Sequence, residues 1–483
     1  MRTGTRRHRP QERIITRWLL PAFSGPFVQI ANFYILIALL AVCALGGGSS
    51  FANVTSLLYV RPVAVIAVVA AVLIPAPANW RMFRAPIILF ILFALLIALQ
   101  LVPLPPAIWT ALPGRAPYIA VADLAGAQQP WRPVSLTPDL TMNALVSLVV
   151  PGAVLANFVK LRFDQRYAMI LIVIALCGLS AILGVAQIAG GPNSPFYFYQ
   201  RTYAGFPVGF LANRNHHAAL LALVFPALRI WTMAASQDRA WVATRRWLAL
   251  GIGVLILPII LATGSRAGMA LATLSILTTF VIFPKNSRNR SAVTSQPRFA
   301  LVRLIIPALL IALVTLTYIF GRAASIDRLL SLAHIDADFR FRFAPVMLDI
   351  IARTFPVGTG FGSFDPLFRQ YEPDAILKST YFNHAHNELI ELTIMAGLPG
   401  LLLLAGFVTW VVTRMIASLR MGYRADTAQF MGRFGGMAII VILLASLVDY
   451  PLRAPLMAFV FTLGCCWACE NRTTGVGTPR EQE

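Results

Sequence analysis

Two of the six histidines in the chain stand two residues apart, in the segment 383–387, which reads Asn-His-Ala-His-Asn. An unperturbed imidazole has a pKa of about 6.5, so it can accept or donate a proton near neutral pH. Asn387 is a suitable helix N-cap, and Glu388 suits the positive end of the helix dipole. Gly397 is typical of a helix end. His386 is therefore expected at the mouth of a short helix, facing solvent or a ligand.

Three interpretations of His384 and His386 are open: a metal site, a structural pair, and an acid–base pair. Helical metal pairs use histidines four residues apart, whereas a spacing of two suits an extended segment. The candidate partners Asp365, Glu372, Asp374 and Glu388 show no recognisable ligand spacing. A general base, or a residue that binds an acceptor, is the interpretation we favour.

The rest of the chain is apolar. Its 483 residues are 58% hydrophobic and 12% charged, whereas soluble domains carry about 25% charged residues. Apolar runs of about 18 residues or more recur from end to end, which predicts an all-α, polytopic transmembrane helix bundle of about twelve spans. The predicted spans are roughly 28–46, 62–75, 86–102, 141–159, 167–189, 216–234, 248–263, 268–283, 303–320, 398–416, 436–450 and 454–469.

The formal charge of +21 would indicate nucleic-acid binding in a soluble protein. Here the basic residues occupy alternate loops, which predicts that both termini lie in the cytoplasm. The transmembrane domain is expected over 28–469, between a basic N-terminus at 1–27 and a C-terminal tail at 470–483. The five cysteines fall in spans or at span ends, so the sequence indicates neither a disulfide framework nor a zinc site.

This predicted topology places four notable segments on the outer side. They are a Pro-rich segment at 103–139, an aromatic loop at 190–215, a tight turn at 263–268, and a large loop at about 321–397 that carries short helices. A last turn at 449–455 joins the final two spans. Long loops without regular structure are usually functional. The Gly-x-Gly-x-Gly run in the large loop follows no strand, so we expect its glycines to approach a bulky ligand or to pack a tight turn.

Arginines on the predicted outer face depart from the positive-inside pattern. Planar guanidinium groups suit bidentate phosphate recognition, and two or three of them can neutralise a diphosphate without a metal. For Arg266 the alternative is pairing with a lipid phosphate. Asn213 and Asn215 offer donors at a helix start that favours an anion, while His216 and His217 could equally form a solvated cap. The outer arginines are Arg201, Arg214, Arg266, Arg340 and Arg342.

An ordered set of motifs resembles the O-antigen ligase and O-antigen polymerase-like membrane glycosyltransferases. The motifs are Gly209-Phe210-Leu211-Ala212-Asn213-Arg214-Asn215-His216-His217-Ala218, Thr263-Gly264-Ser265-Arg266, Pro356-Val357-Gly358-Thr359-Gly360-Phe361-Gly362-Ser363-Phe364, Asn383-His384-Ala385-His386-Asn387 and Gly397-Leu398-Pro399-Gly400. The resemblance is clearest over 205–400. One departure is Met395, where many relatives have a glutamate, which leaves Glu391 or Glu388 as possible substitutes.

The resemblance implies a GT-C-like enzyme of the bacterial inner membrane whose active site faces the periplasm. Its donor would be a glycan on undecaprenyl diphosphate, transferred without a metal, a nucleotide sugar or another cofactor. His386, Arg266 and Arg214 are the expected catalytic residues. The expected substrate-binding residues are His384, Asn387, Arg342, Arg340, Arg201, Asn213 and Asn215.

Three acceptors remain open: lipid A–core for a ligase, a growing polysaccharide for a polymerase, and a protein for an O-oligosaccharyltransferase. Outside the enzyme class, a lipid-linked glycan transporter is the alternative. A transporter is expected to have internal repeats and polar features at the membrane midplane, and the sequence shows neither clearly. The expected partners are therefore the lipid-linked donor, the acceptor and membrane lipid, without nucleic acid.

Overall fold

The computed structural model describes residues 26–233, 239–282, 343–374, 382–420 and 426–470. The predicted span at 303–320, Arg340 and Arg342, most of the N-terminal segment 1–27 and most of the tail 470–483 lie outside these residues. Almost all of the regular secondary structure in the described residues is helical, which confirms the predicted fold class at that level.

Seventeen α-helices are described. In chain order they are α1 Pro26–Gly46, α2 Leu57–Leu73, α3 Arg84–Leu99, α4 Pro106–Trp109, α5 Ala116–Leu124, α6 Pro138–Ser147, α7 Val149–Phe158, α8 Phe163–Ala189, α9 Arg214–Ala222, α10 Val224–Met233, α11 Arg239–Ala262, α12 Arg266–Ile282, α13 343–354, α14 Phe364–Tyr371, α15 Glu388–Arg420, α16 Thr427–Ser446 and α17 Pro455–Trp467. A 3₁₀ turn, Pro451–Arg453, joins α16 to α17.

Apolar helices run through the whole described chain. Six helical stretches are long and apolar enough to cross a membrane: Pro138–Phe158, Phe163–Ala189, Arg214–Met233, Ala240–Ala262, Glu388–Arg420 and Thr427–Ser446. Five shorter apolar helices accompany them. The chain is therefore a multi-pass helical membrane protein, and each predicted span within the described residues overlaps one of these helices. The number of spans and their orientation remain predictions.

Proline divides two of the predicted spans. α6 ends at Ser147 and α9 at Ala222, each four residues before a proline, Pro151 and Pro226. A proline ring clashes with the carbonyl four residues earlier and supplies no N–H to it. Each apolar run is consequently a pair of consecutive helices.

The centre of the bundle is formed by α9, α10 and α16, whose hydrophobic stretches are 72% buried inside the protein. α12 packs closely on α9, because a Cβ at Gly268 would overlap the Cβ of Ala218. This contact brings the first turns of the two helices together.

At one end of the bundle, which we call the loop-rich end, the loop after α1 binds segments from distant parts of the chain. Gly48 N–H donates to the Tyr199 hydroxyl (2.7 Å), and its carbonyl accepts from Ala212 N–H (3.0 Å). The Gly47 carbonyl accepts from Leu456 N–H (2.9 Å). The segments 47–48, 199–215 and 449–456 therefore lie at the same end.

Basic residues collect at the opposite end, which we call the basic end. Arg166 pairs with Glu470 (3.1 Å), and Trp467 Nε1 donates to the Arg166 carbonyl (3.0 Å). Arg414 donates to the carbonyls of Ala468 (3.1 Å) and Cys469 (2.9 Å), at the end of α17. These contacts satisfy carbonyls that a helix end leaves without partners.

The Pro-rich segment between α3 and α6 has its own small framework. Two short strands, β1 (Pro103–Leu104) and β2 (Arg132–Pro133), pair antiparallel, a small exception to the all-α prediction. Arg115 is fully buried and donates to the carbonyls of Val134 (2.6 Å) and Gly358 (3.2 Å). This segment therefore supports the large loop.

The glycine run of the large loop packs on the backbone of α15. Thr359 N–H donates to the Ile394 carbonyl (3.1 Å), and Gly360 N–H donates to the Met395 carbonyl (2.9 Å). A Cβ at Gly358 would lie 2.7 Å from the Met395 oxygen. Of the two expectations for these glycines, the tight packing of a turn is the one that the structure supports.

Gly397 divides α15, as its predicted role as a helix end requires. Its backbone (φ 55°, ψ −143°) is non-helical, and Leu398 N–H donates to the Pro356 carbonyl (2.8 Å). An added Cβ would overlap that carbonyl. The segment 388–396 and the longer helix that begins at Leu398 are thus separate units joined at a glycine.

We expect Gly397→Ala to lower the melting temperature of the detergent-purified protein by an amount equivalent to more than about 1 kcal/mol, because alanine meets both strain and a clash there. Gly406, in the same helix, has no atom within 4 Å of an added Cβ. Gly406→Ala should leave the melting temperature unchanged or slightly higher. Equal effects of the two substitutions would contradict this account of the break.

Candidate active site

An aromatic cluster fixes the segment that carries the two histidines. Phe382 packs on Phe343 (ring centroids 4.7 Å apart) and Phe368 (5.4 Å), and Ala385 is buried beside them. Asn387 Oδ1 accepts from Leu389 N–H (3.0 Å) and Ile390 N–H (3.1 Å). The prediction that Asn387 is the N-cap of the following helix is therefore confirmed.

His386 has a strained backbone. It is the one non-glycine residue with a positive φ (48°) among those that the structure describes. Such conformations cost on the order of 1–3 kcal/mol and persist where the surrounding structure imposes them. The side chain is 17% exposed, and its Nδ1 lies 3.4 Å from Asp449 Oδ1.

Asp449, in the turn after α16, is a buried carboxylate that gathers groups from three parts of the chain. Its Oδ2 accepts from Asn215 Nδ2 (2.7 Å) and Asn213 Nδ2 (3.1 Å) at the start of α9. Its Oδ1 accepts from Tyr450 N–H (3.0 Å) and lies 3.7 Å from His216 Nε2. The turn, the start of α9 and His386 therefore meet at one carboxylate.

The charge state of Asp449 follows from these neighbours. Burial alone would raise the pKa of its carboxyl group, but His216 and His386 outweigh burial and hold the pKa well below its usual range. Asp449 is therefore ionised at neutral pH. An ionised carboxylate beside an imidazole orients the ring and stabilises its protonated form.

A second buried carboxylate binds the other histidine. Glu391 Oε1 lies 3.0 Å from His384 Nδ1 and 3.1 Å from Arg453 Nη2. Glu391 Oε2 accepts from Ala385 N–H (3.1 Å). Met395, one turn later, instead packs beneath the glycine run. Of the two substitutes considered for the missing glutamate, Glu391 is thus the one bound to the histidine segment.

The Tyr450 ring lies among three imidazoles. Its centroid is 4.3 Å from that of His384, 4.9 Å from that of His386 and 5.5 Å from that of His216. Burial, together with the Asp449 carboxylate, raises the pKa of Tyr450 well above its usual value, so the phenol is neutral. Tyr450 thus spaces the histidines apart.

Arg214, the first residue of α9, lies between the two asparagines that bind Asp449. Its guanidinium carbon is 4.4 Å from the Phe206 ring centroid and 5.3 Å from that of Tyr203. Its Nε is buried without a hydrogen-bond partner among the described residues. A cation held over aromatic rings with an open donor is suited to bind an anion.

Arg266 is the first residue of α12 and is exposed. The preceding Ser265 caps the helix, since its Oγ accepts from Gly268 N–H (2.9 Å). The close packing of α12 on α9 places Arg266 and Arg214 at the starts of two adjacent helices. Two arginines are thereby brought to the loop-rich end together.

The remaining predicted residues divide into separate roles. Arg201 is exposed, with its guanidinium carbon 5.1 Å from the Phe51 ring centroid.

His216 and His217 are at most 1% exposed, so the solvated-cap interpretation is wrong for both. His217 Nδ1 lies 2.8 Å from the Pro207 carbonyl and fixes the loop before α9. Arg340 and Arg342 lie outside the described residues.

Sequence reasoning missed the importance of the turn between the last two spans. It noted the turn at 449–455 but assigned no role to Asp449, Tyr450 or Arg453. The signal was present: a short turn between apolar helices contains one acid and one arginine. Charged groups at membrane depth or beside it are costly unless they have partners.

These features define a class: a multi-pass helical membrane protein with paired histidines and carboxylates beside arginines at one end of its bundle. The sequence model of the family described as O-antigen ligase matches residues 251–405. That match confirms the resemblance: over this segment the chain is similar to O-antigen ligases. A comparison of the chain with curated proteins gave no match.

The matched segment contains Arg266, His384, His386 and Glu391 but ends before Asp449 and begins after Arg214. The contacts of Asp449 are what join the unmatched parts to the matched histidines. The folded structure thus extends the site beyond the segment that the family model matches.

We expect Asp449→Asn to lower the melting temperature, because the depressed pKa means that the ionised carboxylate stabilises the folded state. That contribution is fully present above the unfolded pKa of an aspartate, about 3.9, and is lost as pH falls through the lower folded pKa. Thermal unfolding of the purified protein between pH 7 and 3.5 should show a constant gap between wild type and variant near neutrality. The gap should narrow at the acidic end.

Asp349→Asn is the matched control, since Asp349 pairs with Arg353 (2.7 Å) but both side chains are about half exposed. Exposed pairs contribute at most about 1 kcal/mol. A melting temperature for Asp349→Asn as low as that for Asp449→Asn would contradict the central role given to the buried carboxylate.

Proposed function

We propose that the protein is a metal-independent, inverting glycosyltransferase of the bacterial inner membrane, acting as an O-antigen ligase. It moves a glycan from undecaprenyl diphosphate to a hydroxyl of lipid A–core. The observation that carries this proposal is the buried Asp449 carboxylate, which holds His386 beside the helix start that presents Arg214. The family match supports the reaction class.

The proposed orientation, with about twelve spans in a GT-C-like bundle and both termini inside, follows from the distribution of charge. Lys160, Arg162 and Arg166 lie at the basic end with Arg414, and Arg420 follows at the end of α15. The positive-inside rule assigns that end to the cytoplasm. The loop-rich end, with the histidines, then faces the periplasm.

Arg214 and Arg266 are proposed to bind the donor diphosphate. Their guanidinium groups neutralise its charge and stabilise the additional charge that develops as the anomeric bond breaks. A lipid diphosphate neutralised in this way leaves readily, so the step requires no general acid. Arg201, Arg340 and Arg342 are further candidates for this contact.

His386 is proposed as the general base. Its Nδ1 faces Asp449, which leaves Nε2 to accept the proton of the acceptor hydroxyl. The acceptor oxygen bonds to C1 from the face opposite the diphosphate, the bond from C1 to the phosphate oxygen breaks, and the lipid diphosphate leaves with the electron pair. The anomeric configuration is therefore inverted. Base assistance of this kind is worth about 10²–10⁴-fold in rate.

Some predicted substrate-binding residues have structural partners that point to an indirect role. The side chains of Asn213 and Asn215 bind Asp449, and that of Asn387 caps α15. We therefore propose that these three position the catalytic groups. His384, partly exposed beside Tyr450, remains a candidate for acceptor contact.

Deletion of the gene followed by gel analysis of surface glycans tests the proposed reaction. Loss of attached O-antigen with retention of its lipid-linked polymer supports the ligase. Capping by single repeat units would indicate a polymerase instead. Unchanged lipopolysaccharide with an unmodified glycoprotein would indicate a protein O-oligosaccharyltransferase. Loss of export without loss of transfer activity in membranes would indicate a transporter.

We expect His386→Ala to abolish ligation while the protein still folds, because the imidazole is lost but the aromatic cluster that holds the segment remains. The measurement is O-antigen attachment in the deletion strain, with protein quantity from immunoblots of membranes. Thr393→Ala, a change at a partly exposed residue of the following helix, is the control. Wild-type ligation by His386→Ala would disprove the assignment.

Arg214→Lys and Arg266→Lys should each reduce ligation by at least about tenfold, because lysine keeps the charge but loses the bidentate geometry. Arg353→Lys, at an exposed ion pair, serves as the control and should behave as wild type. Full activity of Arg266→Lys would indicate that this residue is only a surface charge.

A further inference from the structure

The mechanism above uses Asp449 and His386 but gives no role to Glu391, a second buried carboxylate of the same cluster. Its side chain is 1% exposed and binds groups from two separate segments. His384 and Ala385 belong to the segment before α15, and Arg453 belongs to the turn after α16. A buried carboxylate is costly unless charged and hydrogen-bonded partners compensate it, and Glu391 has both.

We propose that Glu391, neutralised by Arg453, is a positioning residue that fixes the direction of both histidines. Its Oε1 contacts His384 Nδ1 (3.0 Å) and Oε2 accepts from Ala385 N–H (3.1 Å). The amide of Ala385 immediately precedes His386, whose positive φ needs an external constraint. One carboxylate thus holds one imidazole directly and the other through the backbone.

Arg453 connects the contacts of Glu391 to Asp449. Both residues belong to the turn 449–453, which the 3₁₀ segment Pro451–Arg453 closes. The turn therefore reaches the histidine segment twice: through Asp449 to His386, and through Arg453 and Glu391 to His384 and Ala385. Tyr450 fills the space between the two contacts.

The chemical consequence concerns the ring nitrogens. With Nδ1 of His384 bound to Glu391 and Nδ1 of His386 facing Asp449, each histidine offers its Nε2 to a substrate. A glutamine at position 391 keeps only one acceptor oxygen, so it cannot hold the first ring and the amide of Ala385 as the carboxylate does. Catalysis is then expected to suffer more than donor binding, which the arginines supply.

This inference rests on the proposed ligase function, and its test is performed on the full-length chain purified in detergent. The probes are undecaprenyl-diphosphate-linked O-polysaccharide as donor and rough lipopolysaccharide, which lacks O-antigen, as acceptor. For Glu391→Gln we expect kcat to fall about 10- to 100-fold, as for other orienting partners. The KM for the donor should change less than about twofold.

A double-mutant cycle distinguishes a positioning role of Glu391 from a role in stability alone. If Glu391 acts through His384, the double variant Glu391→Gln with His384→Ala should be less impaired than the product of the two single effects. The control is Asp365→Asn, which breaks a more exposed carboxylate–arginine pair of the same large loop. It should leave kcat unchanged.

The outcomes are distinguishable. A wild-type enzyme that transfers nothing to rough lipopolysaccharide overturns the proposed function. An active wild type with unchanged kcat for Glu391→Gln overturns the inference alone. A lower melting temperature with unchanged kcat per folded molecule, or fully multiplicative effects in the cycle, also overturns it, since a structural role would give either result.

Discussion

The site depends on ionised Asp449, held in a buried position at the loop-rich end of the bundle. A carboxylate there requires donors and positive charge, and it obtains them from the start of α9, from its own turn and from two imidazoles. Asn215, Tyr450 and His386 are far apart in sequence but share this one partner. The same contacts that satisfy the charge therefore assemble the candidate active site.

The helix packing makes that convergence possible. Gly268 lets α12 approach α9. Pro226 divides α9 from α10. Gly358 and Gly397 let the large loop and α15 meet backbone to backbone. Close approach at these glycines fixes the position of the segment 382–391 against the bundle.

The helical content and the approximate positions of the apolar helices could be predicted from the sequence, because lipid requires long apolar runs whose backbone groups bond internally. Asn387 as a cap and Gly397 as a break were also predictable, since both follow from local geometry. The partners of His384 and His386 could not be predicted. Asp449 lies in a distant part of the chain, and Glu391 lies one turn beyond the histidine motif. The solvated cap, one of two equal interpretations of His216 and His217, was wrong because burial depends on what packs above a helix start.

By itself, the sequence determined the class of protein, the residue types of the site and the family resemblance. Only the tertiary structure decided that Asp449 and Glu391 each bind one histidine and that Arg453 completes the second pair. The physical reason is that periodicity and capping act over a few residues. The compensation of a buried charge instead acts through space, as between Asn213 and Asp449, which are 236 positions apart.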